Sequence, residues 1–267
     1  MAELQVMSMY PFEISQYDLY RALLLTFRTG AFLMSIPVFG HTSIPRIVRL
    51  WLILAMTVLL FPSAMIAADR MPSTTPGLVI VILSELAVGF IMGFAVVTVF
   101  AAVQFAGHLI GLQMGLAVAN IFDPMSAGEI SVIGEFYYLL SLIVFLSING
   151  HHYAIDALIR SFDLVPLGGA VFIQEIGRFL TNLTAMVFTL AIKLSAPVII
   201  TLLIVNVVLG ILSRTVPQMN VFIVGFPLSI GVGLLLIGIS LPVFKIVIEK
   251  AFLGLQGDIS TVLHMLR

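Results

Sequence analysis

Three charged residues lie within or at the edges of apolar stretches and are the first candidates for chemistry: Arg28, Glu85 and Lys193. A charge at the centre of a bilayer costs about 2.5–3.5 kcal/mol on insertion scales, so such a residue is expected to be functional or paired. One interpretation is a proton or ion relay. The other is an ion pair between helices, for example Arg28 with Glu85, or a side chain that reaches water from a segment end. One acid and two bases do not make a relay chain, which favours the second interpretation.

Metal and nucleophilic chemistry find little support in the sequence. The chain has no cysteine, which excludes disulfides, thiol catalysis and thiolate metal sites. Of its five histidines only His151 and His152 are adjacent, and adjacent residues point to different faces of a helix. No metal-binding His spacing, HExxH, GxSxG or intramembrane acidic pair occurs. We therefore expect no metal, no cofactor and no enzyme activity.

Glycine shows the clearest spacing. Gly89 and Gly93 are four residues apart, and so are Gly107, Gly111 and Gly115. Small residues at this spacing let helices approach closely in lipid, and packing is sufficient to explain the first pair.

A second interpretation competes for the later glycines, because they lie in an overlong apolar run. Non-helical backbone at membrane depth persists only inside protein or beside a cavity. The 110–116 segment would then be a deformable plug in a pore, and it consists of Ile110, Gly111, Leu112, Gln113, Met114, Gly115 and Leu116.

Composition indicates the class of protein in which these residues are positioned. Of 267 residues, 61% are apolar and only 25 (12 Lys/Arg plus 13 Asp/Glu) are charged, against roughly 25% charged in a soluble domain. So few charges cannot cover a soluble surface, which excludes a soluble enzyme, a nucleic-acid binder and a disordered chain. The net charge of −1 gives no reason to expect nucleic acid as a partner. The chain is therefore of membrane type.

We predict an all-α, polytopic fold of about six kinked helices, near residues 18–39, 47–67, 77–107, 131–149, 179–212 and 219–250. The uncharged run 86–122 has 37 residues. As one helix it would be roughly 55 Å long, well beyond a ~30 Å hydrocarbon core, so it must break, kink or leave the lipid. Ser15 to Asp18 is a plausible capping box for the first helix. Prolines within the last two segments are expected to kink them.

Three blocks of sequence carry a further signal. They are Gly107 … Ile110-Gly111-Leu112-Gln113-Met114-Gly115-Leu116 with Phe122-Asp123-Pro124, then Leu146 … Asn149-Gly150-His151, and then Ala196-Pro197 … Asn206 … Arg214 … Pro217-Gln218 … Phe222 … Gly225-Phe226-Pro227. They resemble, in order and spacing, the FliR family, which is the flagellar member of the FliR/SctT export-gate proteins of type III secretion.

The resemblance implies a non-enzymatic subunit at the core of the flagellar export gate. Its partners would be several copies of FliP and FliQ homologues, associated FlhB and FlhA homologues, membrane lipid, and the unfolded flagellar proteins that pass through the pore. Helical hairpins would assemble into a larger helical hetero-oligomer in the bacterial inner membrane, at the flagellar basal body. Residues 1–267 would form one integral domain, FliP-like in its N-terminal part and a FliQ-like hairpin over about 179–250.

The resemblance also implies site residues. The pore plug would comprise the 110–116 segment with Phe122, Asp123 and Pro124. Residues for subunit packing would be Pro197, Asn206, Arg214, Pro217, Gln218, Phe222, Gly225, Phe226 and Pro227.

Two other classes of function compete with this one. A secondary transporter for a small solute would also use broken helices, but Glu85 is the only buried acid available for coupling. A membrane-embedded enzyme lacks any motif to support it.

Overall fold

A computed structural model of the chain describes residues 15–41, 43–64, 66, 74–116, 131–216, 218 and 220–267. These residues form an all-α protein, with one isolated parallel β-bridge, between Ile66 and Leu167, and no longer strand in the described part. The helices are α1 (Gln16–Ser35), α2 (Pro37–Gly40), α3 (Arg46–Leu60), α4 (Thr75–Gln113), α5 (Val132–Ser147), α6 (Gly150–Leu164), α7 (Gln174–Thr215) and α8 (Val221–Met265).

Local sequence explains the boundaries of α1. The predicted capping box is present: Ser15 Oγ accepts a hydrogen bond from the Asp18 amide, and the Ser15 amide donates to Asp18 Oδ2. At the other end Ile36 is extended (ψ 125°), as expected for a residue that precedes proline, and α2 begins at Pro37. α1 then packs against α3.

The overlong apolar run breaks later than expected. We predicted a helix end near residue 107, but α4 continues for 39 residues to Gln113, a length of roughly 58 Å. It ends in a Schellman motif: the Leu116 amide donates to Gly111 O and the Gly115 amide donates to Leu112 O. Gly115 has φ +83°, the left-handed conformation that this cap requires.

The helix predicted over 131–149 is present as α5, and a helix that we did not predict, α6, follows it. α5 ends at Ser147, Asn149 adopts a left-handed φ of 58°, and α6 then departs at 68° to α5. Our predicted helices did not include α6, which contains three charged residues, Asp156, Arg160 and Asp163. Its buried residues nevertheless recur at helical spacing, which the charges on the opposite face obscured: Ala154, Leu158, Ser161 and Phe162.

The last two helices are longer than predicted. α7 has 42 residues and α8 has 45, and both remain helical through their internal prolines. We placed the end of the final helix near the charged pair at residues 249–250. It continues to Met265 because apolar residues on the buried face continue beyond that pair: Phe252, Leu255, Ile259 and Val262.

The chain divides into two compact units. Unit 1 comprises residues 1–93, 156–173 and 261–267, and unit 2 comprises 94–155 and 174–260. α4 therefore contributes residues to both units. The expected single domain with FliP-like and FliQ-like parts stays a prediction.

Three helices of the described chain are long and apolar enough to cross a membrane, namely α4, α7 and α8. The bent α5–α6 pair could be a fourth span. Six predicted segments therefore correspond to at most four candidate spans among the described residues, and the fold is that of a polytopic membrane protein.

Gly107→Val tests the close contact between α4 and α5. A Cβ at Gly107 would lie 2.6 Å from both Gly134 Cα and Ile133 O, so the backbones must separate. We expect a lower thermal unfolding midpoint in detergent, equivalent to about 1–3 kcal/mol. The control is Gly238→Ala, which meets no atom within 4 Å and gains helix propensity. Equal midpoints for the two variants would contradict the contact.

Candidate functional site

Unit 1 contains a fully buried ion pair. Arg28 on α1 and Glu85 on α4 are each 0% exposed, and Arg28 Nε lies 2.6 Å from Glu85 Oε2. This is the ion pair that the second interpretation of the sequence expected. Burial of two charges is favourable only when further hydrogen bonds satisfy them, so the surrounding donors and acceptors decide what the pair can do.

The pair is tied to the end of α6 and the following turn. Arg28 Nη1 donates to Ser161 O at 3.0 Å and to Val165 O at 2.8 Å. Glu85 Oε1 accepts from the Gly168 amide at 2.8 Å. The Arg28 guanidinium also lies over the Phe162 ring, 4.8 Å from its centroid. Arg28 thus binds two carbonyl groups at the C-terminal end of α6: that of Ser161, which also accepts from the Val165 amide, and that of Val165.

This geometry describes a structural clamp. Both Glu85 oxygens are engaged, and the carboxylate is sealed from solvent. Lys193, the third predicted charge, is exposed on α7. The described residues contain no cluster of His, Asp or Glu that could hold a metal ion.

Gly89 and Gly93 provide the close approach that brings α1 and α4 together around the clamp. A Cβ at Gly89 would meet the Arg28 carbonyl oxygen, and one at Gly93 would meet the Ser35 side chain. The packing interpretation of this pair is therefore confirmed.

The glycines of the second set have different roles in unit 2. Gly107 and Gly111 are helical and face the start of α5, where a Cβ at Gly111 would lie 3.0 Å from Ser131 Oγ. Gly115 alone has the left-handed conformation. The expected flexible segment therefore needs correction: residues 110–113 form the last turn of α4, and only 114–116 form a turn.

Met114 is the residue that this turn buries. Its side chain is 0% exposed and lies over Gly233 of α8, where a Cβ would come within 2.7 Å of Met114 Cγ and 2.8 Å of Sδ. Next to it, a Cβ at Gly115 would lie 2.8 Å from the Phe226 ring. Ile110 is also fully buried, whereas Leu112 is 47% exposed. The segment thus directs one apolar face at α8.

The structure brings residues of two predicted groups together around one open cavity of about 300 Å³ in unit 2. The plug group contributes Gln113, Met114 and Gly115, and the packing group contributes Asn206, Gly225 and Phe226. Leu209, Gly210 and Ser229 complete the lining. Sequence blocks about 90 residues apart therefore meet at one place.

The other predicted packing residues, and three of the predicted plug residues, lie elsewhere or cannot be placed. Pro197, Arg214, Gln218 and Pro227 are exposed and do not line this cavity. Phe122, Asp123, Pro124 and Pro217 lie outside the described residues, and so does the side chain of Phe222.

Sequence reasoning missed two partners. Gly233 was one glycine among many, eight positions after Gly225 on α8. Gly168, the amide donor to Glu85, lies between the predicted helices at 131–149 and 179–212. For Gly168, the signal available in the sequence was a glycine-rich turn that follows an apolar helical pattern.

α7 and α8 expose continuous apolar surface. In the most apolar 18-residue stretch of each helix, 28% of the residues are buried in α7 and 17% in α8, against 67% in α4. Exposed side chains on these two helices include Ile200, Leu203, Val207, Ile211, Leu235, Ile239 and Val243. Lipid or other subunits must cover such a surface.

Comparison with known proteins agrees with this arrangement. Residues 19–255 match the family described as Bacterial export proteins, family 1. The chain is 34% identical over 241 residues to the flagellar biosynthetic protein FliR of Bacillus subtilis, covering 88% of this chain and 92% of that one. The chain belongs to the FliR family. FliR of Escherichia coli is 32% identical and FliR of Aquifex aeolicus 33%, each over 92% of its length.

Membership in the FliR family makes the chain a multi-pass membrane component of the flagellar export apparatus. The family is a structural part of that apparatus. The resemblance drawn from the three sequence blocks is thereby confirmed at the level of family.

Removal of one partner of the ion pair should destabilise the chain strongly. Arg28→Met leaves the Glu85 carboxylate buried without its cation, and we expect a loss of about 3–5 kcal/mol. The double variant Arg28→Met/Glu85→Leu removes both charges and should recover part of this loss. Thermal unfolding in detergent measures both effects.

The control for this prediction is Arg160→Gln. Arg160 pairs with Asp156 at the surface, where the side chains are 69% and 54% exposed, and loss of such a pair should cost about 0–1 kcal/mol. The clamp would be contradicted if Arg28→Met behaved like Arg160→Gln, or if Arg28→Met/Glu85→Leu were no more stable than Arg28→Met.

Proposed function

We propose that the chain is a core subunit of the flagellar type III export gate and lines, with FliP and FliQ homologues, the pore for unfolded flagellar proteins. The observation that supports this most is the contact of the 110–116 segment with α8, where Met114 covers Gly233 beside an open cavity. In this proposal the segment is the plug that keeps the pore closed.

The apolar character of the contact suits a protein pore. Met114, Ile110 and Phe226 offer no charge that could hold an ion. Methionine is flexible and polarisable, so it can seal an irregular gap and then repack. Because α4 ends at Gln113 and Gly115 supplies the left-handed turn after it, the turn can change without disruption of the helix before it.

The exposed faces of α7 and α8 support assembly with partner subunits. Each of these helices has more than 40 residues, and its most apolar stretch is mostly exposed. One chain therefore does not bury these surfaces by itself. FliP and FliQ homologues would cover these faces within a helical hetero-oligomer, FlhB and FlhA homologues would associate with it, and the inner membrane would hold the assembly.

Subunit packing would involve two residues beside the cavity, Asn206 and Gly225, and four exposed ones, Pro197, Arg214, Gln218 and Pro227. The chain would act without catalysis.

The transporter alternative loses its coupling group. Such a mechanism needs an acid that can exchange protons with a substrate pathway. Glu85 was the only candidate, and it is sealed in an ion pair with both oxygens engaged.

Variants of the 110–116 segment test the plug. Met114→Ala should leave a gap over Gly233 and cause ion leak, measured as loss of membrane potential with a voltage-sensitive dye. Gly115→Val should be worse, because φ +83° is strained for valine and its side chain would meet the Phe226 ring. Secretion of flagellar proteins into the medium gives the second readout.

The matched control is Leu112→Ala, which alters an exposed side chain of the same segment. All variants must still co-purify with tagged FliP and FliQ homologues, which separates a closure defect from failed assembly. Normal potential and normal secretion in assembled Met114→Ala and Gly115→Val complexes would refute the plug. A partner-free, monodisperse wild-type chain would refute the gate proposal itself.

A further inference from the structure

Unit 1 contains an apolar groove of about 730 Å³ between α1 and α3. On the α1 side it is lined by Phe27, Gly30 and Met34, and on the α3 side by Leu50 and Ile53. None of these side chains carries a charge, and the hydroxyl of Thr26, which also lines the groove, donates to the Ala22 carbonyl oxygen of its own helix. The groove is therefore suited to an apolar occupant.

Two arginines lie at one end of the groove. Arg46 and Arg49, in the first turn of α3, line it before the apolar residues begin. Arg49 Nη1 reaches the Gly40 carbonyl oxygen at 3.4 Å, while its Nε is buried without a partner among the described residues. Neither arginine has an ion-pair partner in the described part of the chain, and no acidic residue lines the groove. This end is thus complementary to an anion.

The surface around this groove has the pattern of a membrane interface. Trp51, two residues after Arg49, is 64% exposed, and the exposed residues Val58 and Leu59 follow near the end of α3. Tryptophan and arginine beside an apolar helical face are typical of the level at which lipid headgroups meet acyl chains.

We propose that this groove binds an anionic phospholipid, with one acyl chain between α1 and α3 and the phosphate held by Arg46 and Arg49. A guanidinium forms strong, charge-assisted and often bidentate hydrogen bonds with phosphate. Basic pockets between membrane helices bind anionic headgroups in the same way. An apolar protein segment would leave both arginines without a counter-charge, and free phosphate would leave the groove unfilled.

Trp51 allows a direct test because it is the only tryptophan of the chain. The purified chain is reconstituted in phosphatidylcholine bilayers, to which either brominated phosphatidylglycerol or brominated phosphatidylcholine is added over the same range of mole fractions. Bromine quenches tryptophan fluorescence at short range. We expect brominated phosphatidylglycerol to give the same quenching at about a tenfold lower mole fraction.

Two pairs of variants test whether the preference for phosphatidylglycerol over phosphatidylcholine arises in the groove. Arg46→Gln/Arg49→Gln should abolish it, whereas Arg160→Gln, which removes an exposed arginine of the same unit, should retain it. Gly30→Leu should block the groove. Gly30→Ala should not, since its Cβ would make an ordinary contact of 3.6 Å with the Ile53 side chain.

Several results would overturn the proposal. One is equal quenching of the wild-type chain by both brominated lipids, and another is a preference that survives in Arg46→Gln/Arg49→Gln. A third is a preference of the chain alone that disappears in the complex with FliP and FliQ homologues, because the groove would then be a subunit contact.

Discussion

Close helix contact along α4 is the constraint on which the rest of this protein depends. In unit 1, Gly89 and Gly93 allow α1 to approach until a single Cβ would collide with its backbone or side chains. In unit 2, Gly107 meets Gly134 at the start of α5 in the same manner. In lipid, helices gain little from the hydrophobic effect, so van der Waals contact at this distance must stabilise their association. Gly115 then terminates the helix by its conformation.

Polar groups serve the same purpose of holding elements together. The Arg28–Glu85 pair joins α1 to α4 and forms further hydrogen bonds with the end of α6 and with the Gly168 amide. In an apolar protein, such a pair can have a purely structural role, because its hydrogen bonds hold the ends of helices and no proton transfer is needed. The low charge of the chain therefore has two explanations: a lipid-compatible exterior, and long apolar faces on α7 and α8 that partner subunits would cover.

The sequence predicted the class of fold, the ion pair and the family, but not the boundaries of several elements. Charge spacing identified the apolar helices because charge is costly in lipid, yet it placed the end of α8 too early, since exposed charges do not end a helix. The bend at Asn149 and the Schellman cap at Gly115 each depend on one residue in the left-handed conformation. Other glycines or asparagines nearby could equally have adopted it, so the sequence does not indicate which residue ends the helix. The contact between Met114 and Gly233 joins positions more than 100 residues apart, and one sequence cannot specify such a pairing.

The central claim is that the end of α4 must leave α8 for export to occur. The natural chain has no cysteine, so Met114→Cys/Gly233→Cys can form only the intended crosslink within it. The measurement is secretion of flagellar proteins by cells that carry this variant, under oxidising conditions and again after reduction, with each single cysteine variant as control. The account predicts assembled complexes that secrete nothing while crosslinked and recover on reduction. Undiminished secretion by a fully crosslinked gate would contradict it.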